Sequence, residues 1–174
     1  MVDKKSESDI IKEEKGGQRE NNTFNGNTDD VAVSETPRVV LNYQPTSGVK
    51  IEAIPGKTTT ILGRYATDTA AIIDELELEK SIDFGPRDGG FNLLNVPDDL
   101  YISAEQFWEE YNKPWLDAAI KRGDSILAAT RPTIQSLYTK FPDQLSGFGR
   151  EYFYLIQKGY RYSNGAFILT NKGE

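Results

Sequence analysis

Not one of the 174 residues is cysteine or histidine. No disulfide and no Cys/His zinc site can staple such a chain, so its fold has to stand on an apolar core alone. The same absence narrows the chemistry. A Ser-His-Asp triad, a Cys-His pair and a histidine general base are all out of reach. Catalysis has to run on carboxylates, Lys, Arg, Tyr, Ser/Thr and amides, or on a metal held by oxygen ligands.

The apolar fraction of 37% lies below the roughly 45–50% of globular chains, a norm that also counts Gly. Part of the chain therefore buries little, and the composition says which part. Residues 1–36 mix charges with Asn21-Asn22, Asn25-Gly26-Asn27 and Asp29-Asp30. Their apolar residues are too sparse to offset ordering entropy. We expect a disordered or extended polar leader over 1–47 and one α+β domain over 48–174. No apolar run reaches the ~18 residues of a membrane span, and no h-region follows Met1. We expect no stable membrane insertion and a monomer. A net charge of −7 argues against nonspecific nucleic-acid binding, which needs a basic face, and suits a basic partner.

Local patterns predict the elements. Val39-Val40-Leu41 reads as a first strand, and Thr58 to Leu62 as a β-branched strand ending at Gly63. A helix follows, with Thr67 or Asp68 as its N-cap and Ile72, Ile73 and Leu76 on its apolar face. Phe91 to Leu94 suits a short strand. Ser103 and Gln106 have capping-box spacing, with Ile102 and Phe107 placed as a hydrophobic staple. Pro114 divides the next stretch into helices over 104–112 and 114–122, or kinks one helix, and Gly123 stops it. Ser125 to Ala129 reads as a buried strand. Arg150 to Lys158 reads as a helix packing through Tyr152, Phe153, Leu155 and Ile156. Asn164-Gly165 between two β-rich runs predicts a type I′ hairpin. The sum is an α+β fold: a small antiparallel or mixed sheet, three to four helices and a C-terminal β-hairpin.

Several constellations carry possible chemistry. Pro55-Gly56-Lys57-Thr58-Thr59 resembles a P-loop, but Ile51 stands where its first glycine belongs and a strand follows the lysine. It reads better as a turn. Arg64 and Tyr65 lie at the C-terminal end of that strand, where binding residues often sit. Arg64 can fork onto a phosphate or carboxylate, or pair with Asp68 or Glu75. Lys57 lies at the strand's other end, about 20 Å away. The Gly-rich stretch 85–95 offers Arg87, Asn92 and Asn95, either to a ligand or to its own backbone. Trp108, Tyr111 and Trp115 recur at helical spacing and read as core before base-stacking platforms. Arg150 and Glu151 begin a helix whose N-terminus favours anions, and a partly buried Glu151 suits a general base. No acidic spacing resembles a metal loop. We expect neither a metal nor a cofactor.

Residues 56–63 (Gly-Lys-Thr-Thr-Thr-Ile-Leu-Gly), 89–95 (Gly-Gly-Phe-Asn-Leu-Leu-Asn), Phe107-Trp108, 111–117 (Tyr-Asn-Lys-Pro-Trp-Leu-Asp) and 147–152 (Gly-Phe-Gly-Arg-Glu-Tyr) carry a likeness. Across 57–167 the chain resembles the C-terminal toxin domains of bacterial polymorphic toxins, including contact-dependent inhibition and Rhs-like proteins. Arg19-Glu20-Asn21-Asn22 loosely resembles the motif that precedes such domains. The resemblance implies delivery as part of a larger secreted protein, action in the target-cell cytoplasm and a cognate immunity protein. Many such payloads are ribonucleases of the barnase/EndoU/colicin/RelE type. Their histidine-dependent versions are closed to this chain.

Three functions follow as expectations. The first is a metal-independent ribonuclease, with tRNA as a candidate substrate, Glu151 as base and Arg64, Lys57 and Arg150 stabilising the phosphorane. Tyr65, Arg87, Asn92 and Asn95 would contact the nucleotide. The second is an enzyme consuming a nucleotide such as NAD, by hydrolysis or ADP-ribosyl transfer. The third is a non-enzymatic interaction domain.

Overall fold

The computed structural model describes residues 41–85 and 90–170. The fold is α+β. Its main sheet contains β1 (Thr59–Leu62), β2 (Phe91–Asn92), β3 (Ser125–Ala128), β6 (Tyr160–Ser163) and β7 (Ala166–Leu169), in the order β2-β1-β3-β7-β6. A separate hairpin pairs β4 (Tyr138–Lys140) with β5 (Gln144–Leu145). Strand β1 runs parallel to both neighbours, with Thr59 opposite Phe91 on one side and Ser125 on the other. β3 and β7 are antiparallel, with Ile126 opposite Phe167. One half of the sheet is thus wound parallel and the other half is antiparallel, with the last strand β7 lying between β3 and β6.

Alternation along the strands divides the core between the two faces of the sheet. Leu62, Ile126, Ala128 and Phe167 pack with Trp115 and Leu116 of α3 (Lys113–Arg122) and with Phe148 and Leu155 of α5 (Gly147–Gln157). Ile61, Phe91 and Ala129 pack with Ile72 and Ile73 of α1 (Ala70–Leu76) and with Ile51 and Ala53. The crossover through α1 carries the chain from β1 to β2. The crossover through α3 returns it past β1 to β3 on the opposite face. The chain therefore changes direction at β1, and in wound sheets such a switch point opens a crevice beyond the strand ends.

Several expected elements stand and others move. The C-terminal hairpin has the predicted bounds, with φ of 49° at Asn164 and 88° at Gly165 as a type I′ turn requires. Pro55-Gly56 is a turn into β1, closed by Lys57 N donating to the Ile54 carbonyl. Val39 and Val40 lie outside the described residues, and Leu41 is in no strand but packs on the core. Ser103 caps α2 (Ala104–Phe107) by accepting from Gln106 N, but Ile102 is 79% exposed, and Tyr101 contacts the Phe107 ring instead. Pro114 neither ends nor splits the helix. A wide π turn, Trp108–Asn112, joins α2 to α3, and the wider spacing accommodates the donor that Pro114 lacks.

The expected cap at Thr67 or Asp68 is not a cap. A π turn begins at Tyr65, and the Asp68 carboxylate is fully buried inside it. It accepts hydrogen bonds from Tyr43 Oη (2.6 Å), Thr46 N (3.0 Å), Thr46 Oγ1 (2.8 Å) and Thr130 Oγ1 (2.6 Å). Burial pushes this carboxyl up, but the bonds from Thr130, Tyr43 and Thr46 outweigh it and hold its pKa below the ordinary value. Residues 42–47 are thereby fastened to the body, ahead of the boundary at 48 that composition suggests. Asp68→Ala should cost about 3 kcal/mol in urea unfolding, because these donors lose a charged acceptor. A depressed carboxylate pKa stabilises the fold above the unfolded value. The difference between wild type and variant should therefore shrink as pH falls through the folded pKa.

Among the described residues, no helix is long and apolar enough to cross a membrane. No group of three or more acidic ligands among them could hold a metal ion.

Candidate functional site

A cavity of about 580 Å³ opens beyond the C-terminal ends of β1 and β2, at the switch point. Most of its walls come from the end of β1 and the residues that follow it (61–66), residues 94–98 after β2, Asn112 and Trp115 of the long helix, and the first turns of α5; Lys80, Phe107 and Thr139 add to them.

Helix α5 starts at Gly147, three residues earlier than its apolar pattern suggests. Ser146 Oγ caps it by accepting from Gly149 N (2.9 Å), and the same hydroxyl donates to the Ser136 carbonyl (2.7 Å). Two glycines look like poor helix formers, but Gly149 sits where no side chain fits. A Cβ there would lie 1.9 Å from the Leu137 carbonyl oxygen. The earlier start changes the inward stripe to Phe148, Glu151 and Leu155, while Phe153 and Ile156 are 38% and 39% exposed. Glu151 thus lies on the buried face, one turn inside the helix rather than at its end.

The buried polar groups of this wall are the site's main chemical feature. Glu151 Oε1, Asn112 Oδ1 and Trp115 Nε1 are buried and make no hydrogen bond within the protein. All three residues line the cavity. Such groups cost free energy unless something else satisfies them, so their clustering in one cavity points to a ligand. Burial pushes the Glu151 carboxyl up to about 8, and a hydrogen bond from the Asn112 side chain only partly opposes it. Glu151 therefore rests as the neutral acid at pH 7. In that form it can give a proton, and it becomes able to take one only as pH rises through about 8.

The other expected site residues divide. Arg64, Tyr65 and Asn95 line the same cavity as Glu151. Arg64 pairs with neither Asp68 nor Glu75; its Nη1 donates to the Gln135 carbonyl (3.0 Å) and its backbone N to Thr130 Oγ1 (2.8 Å). Those bonds hold the guanidinium at the mouth. Asn95 Nδ2 donates to the Leu78 carbonyl (3.3 Å), which fixes its amide at the wall. Lys57 is exposed at the far end of β1 and does not line the cavity. Arg150 is not part of the lining either, and its Nη2 is paired with Glu105 at 3.1 Å. Arg87 lies outside the described residues.

Asn92 serves the fold. Its Nδ2 donates to Thr60 Oγ1 (2.9 Å), which donates to Asp124 (2.8 Å), and Asp124 takes a two-pronged contact from Arg122 (3.1 and 2.7 Å). Asn92→Ala should lower stability by about 1–2 kcal/mol, read by thermal melting, because a buried hydrogen bond is lost while the Thr60 hydroxyl keeps only its bond to Asp124. Ligand binding in the cavity should be unchanged.

Sequence reasoning missed Asn112 and Trp115 as site residues. The signal was present: Asn112, Trp115, Leu116 and Ala119 follow the i, i+3, i+4, i+7 spacing of a buried stripe, and all four are buried. A polar residue on such a stripe is the anomaly to look for. Comparison of the chain with protein-family models, with curated proteins and with solved structures gave no match.

Proposed function

We propose that the cavity is the active site of an enzyme acting on a small phosphorylated molecule of the nucleotide class, with Glu151 as proton donor and Arg64 holding the anionic part. The observation that carries this reading is the buried carboxyl of Glu151, whose Oε1 has no protein partner, in the lining of a cavity of small-molecule size at the switch point of the sheet. In the hydrolytic form, Glu151 protonates the leaving group as its bond breaks. Water adds to the electron-poor centre and its released proton returns to the Glu151 carboxylate. Transfer to another acceptor replaces water by that acceptor's hydroxyl or amine. Arg64 at the mouth supplies a permanent positive charge for phosphate.

A ribonuclease ranks behind this reading. It would call on Lys57 and Arg150 as well, and neither joins the lining. A cavity of about 580 Å³ and the acidic chain also suit a compact ligand better than an extended polyanion. The resemblance to polymorphic toxin domains supports a wider proposal. The enzyme would be delivered as part of a larger secreted protein, act as a monomer in the target-cell cytoplasm and be held in check by an immunity protein.

The test is incubation of the purified chain with nucleosides, nucleotides, NAD and tRNA, followed by chromatography and mass spectrometry. Turnover of a small molecule is expected. Fragmented tRNA beside intact small molecules would return the ribonuclease reading. No change in any of them would leave an interaction domain.

A further inference from the structure

We propose that the cavity selects its ligand by a planar amide or amidine edge, an NH2 group lying beside a carbonyl oxygen or ring nitrogen, as on a nucleobase or an aromatic carboxamide. This rests on the active-site reading above and specifies which part of the substrate enters deepest.

The argument starts from donor and acceptor capacity. Trp115 Nε1–H can only donate, and Asn112 Oδ1 can only accept. Glu151 can do either, according to its proton. All three lie in one wall, with side chains at least nine-tenths buried and no protein partner for these atoms. Of the Asn112 amide it is Oδ1 that is buried without a protein partner, and its side chain lies against Glu151, whose carboxyl it partly stabilises. A complementary group must therefore present an N–H to Asn112 and an acceptor to Trp115, close together. Glu151 then takes the second N–H or donates to the acceptor.

A phosphate offers only acceptors and a carboxylate only acceptors, so neither satisfies Asn112. A lone hydroxyl has a single donor, so it cannot also offer Glu151 the second N–H that an amide edge carries. An amide or amidine edge carries both in one plane. The remaining walls suit a flat ring, since Leu94, Val96, Phe107 and Phe148 supply apolar surface around the polar cluster. Arg64 and Gly147 at the start of α5 also line the space, and they leave a polar route for the rest of a nucleotide.

The experiment compares ligand pairs that differ only in the NH2 group, using titration calorimetry on the wild-type chain. Adenine is set against purine, and nicotinamide against 3-acetylpyridine. Binding of at least one amino-bearing member, tenfold or more tighter than its partner, is expected. Trp115→Phe keeps the ring and removes the N–H, and should weaken the amino-bearing ligand about tenfold. Equal binding within both pairs overturns the proposal, and so does binding of neither amino-bearing ligand. The turnover assay reads separately. A small molecule that lacks this edge but is turned over in a Glu151-dependent way would sink the selection rule and leave the active site standing. Absence of both binding and turnover would sink the two together.

Discussion

Glu151→Gln should remove turnover by a factor of about 10²–10⁴, the usual worth of a positioned proton donor. The folded state should survive, because glutamine keeps the shape and hydrogen-bonding outline of the neutral acid that occupies this buried place. The pH profile separates chemistry from structure. A donor with a pKa of about 8 loses its proton above that value, so the wild-type rate should fall on the alkaline side. A rate that instead climbs through pH 8 would make Glu151 a carboxylate at work rather than an acid. Stability carries a second signature. Below about pH 4.5 the carboxyl is protonated in both folded and unfolded chains. Between that value and about 8 the unfolded chain has released the proton and the folded chain holds it. Folding is then progressively disfavoured as pH rises, and the trend levels off above 8. The variant has no such proton. Its melting temperature should therefore gain on wild type from pH 5 to 8 and hold a constant lead beyond.

Gly149→Ala should be among the most destabilising single substitutions in the chain. Its new methyl would stand 1.9 Å from the Leu137 carbonyl oxygen and 3.2 Å from the Leu145 side chain. The Leu145 methyl can turn aside, but the Leu137 carbonyl cannot yield cheaply. Leu137 ends α4 (Ile134–Leu137), and its carbonyl accepts from Ser146 N at 2.9 Å. Ser146 in turn caps α5. Moving the helix away would loosen that cap and withdraw Phe148 and Leu155 from the core. The cost should reach about 3–5 kcal/mol in urea unfolding, in the range of severe overpacking. Gly147→Ala, two residues earlier, has nothing within 4 Å of its added carbon. It should leave stability almost unchanged, which makes it the control.

Much of the architecture is legible in the residues because it is set locally. Asn164-Gly165 permits the positive φ angles of its turn, and the β-branched run 58–62 becomes the inner strand β1. Other features depend on distant partners. Asp68 has the chemistry of an N-cap, but Tyr43, Thr46 and Thr130 converge on it from elsewhere in the chain. The Gly-Phe-Gly run at 147–149 looks unhelical until Leu137 is seen to require a bare Cα at 149. That misplaced start also hid the inward direction of Glu151. The hairpin β4–β5 rests on short strands with weak alternation, and nothing in their sequence announces it.

For the candidate site, chemistry was easier to read than position. Arg64, Tyr65, Asn95 and Glu151 share a cavity, whereas Lys57, Asn92 and Arg150 serve elsewhere. Lys57 was separable in advance, since a straight strand puts its two ends far apart. Arg150 was not, because its engagement with Glu105 spans two elements whose packing no local pattern specifies.

The split sheet has a kinetic corollary. Tyr160 finds Leu169 across a short loop, whereas Thr59 must find Ser125 across a long one. Closing the longer loop costs more entropy before any contact repays it. The C-terminal hairpin should therefore form early in refolding and the parallel strands late. The crevice draws its walls from both ends of that order, since Arg64 follows β1 and Glu151 lies just ahead of the hairpin. Ligand binding should recover only after most of the helical and sheet signal has returned, and a chain released before its last strand would have no competent pocket.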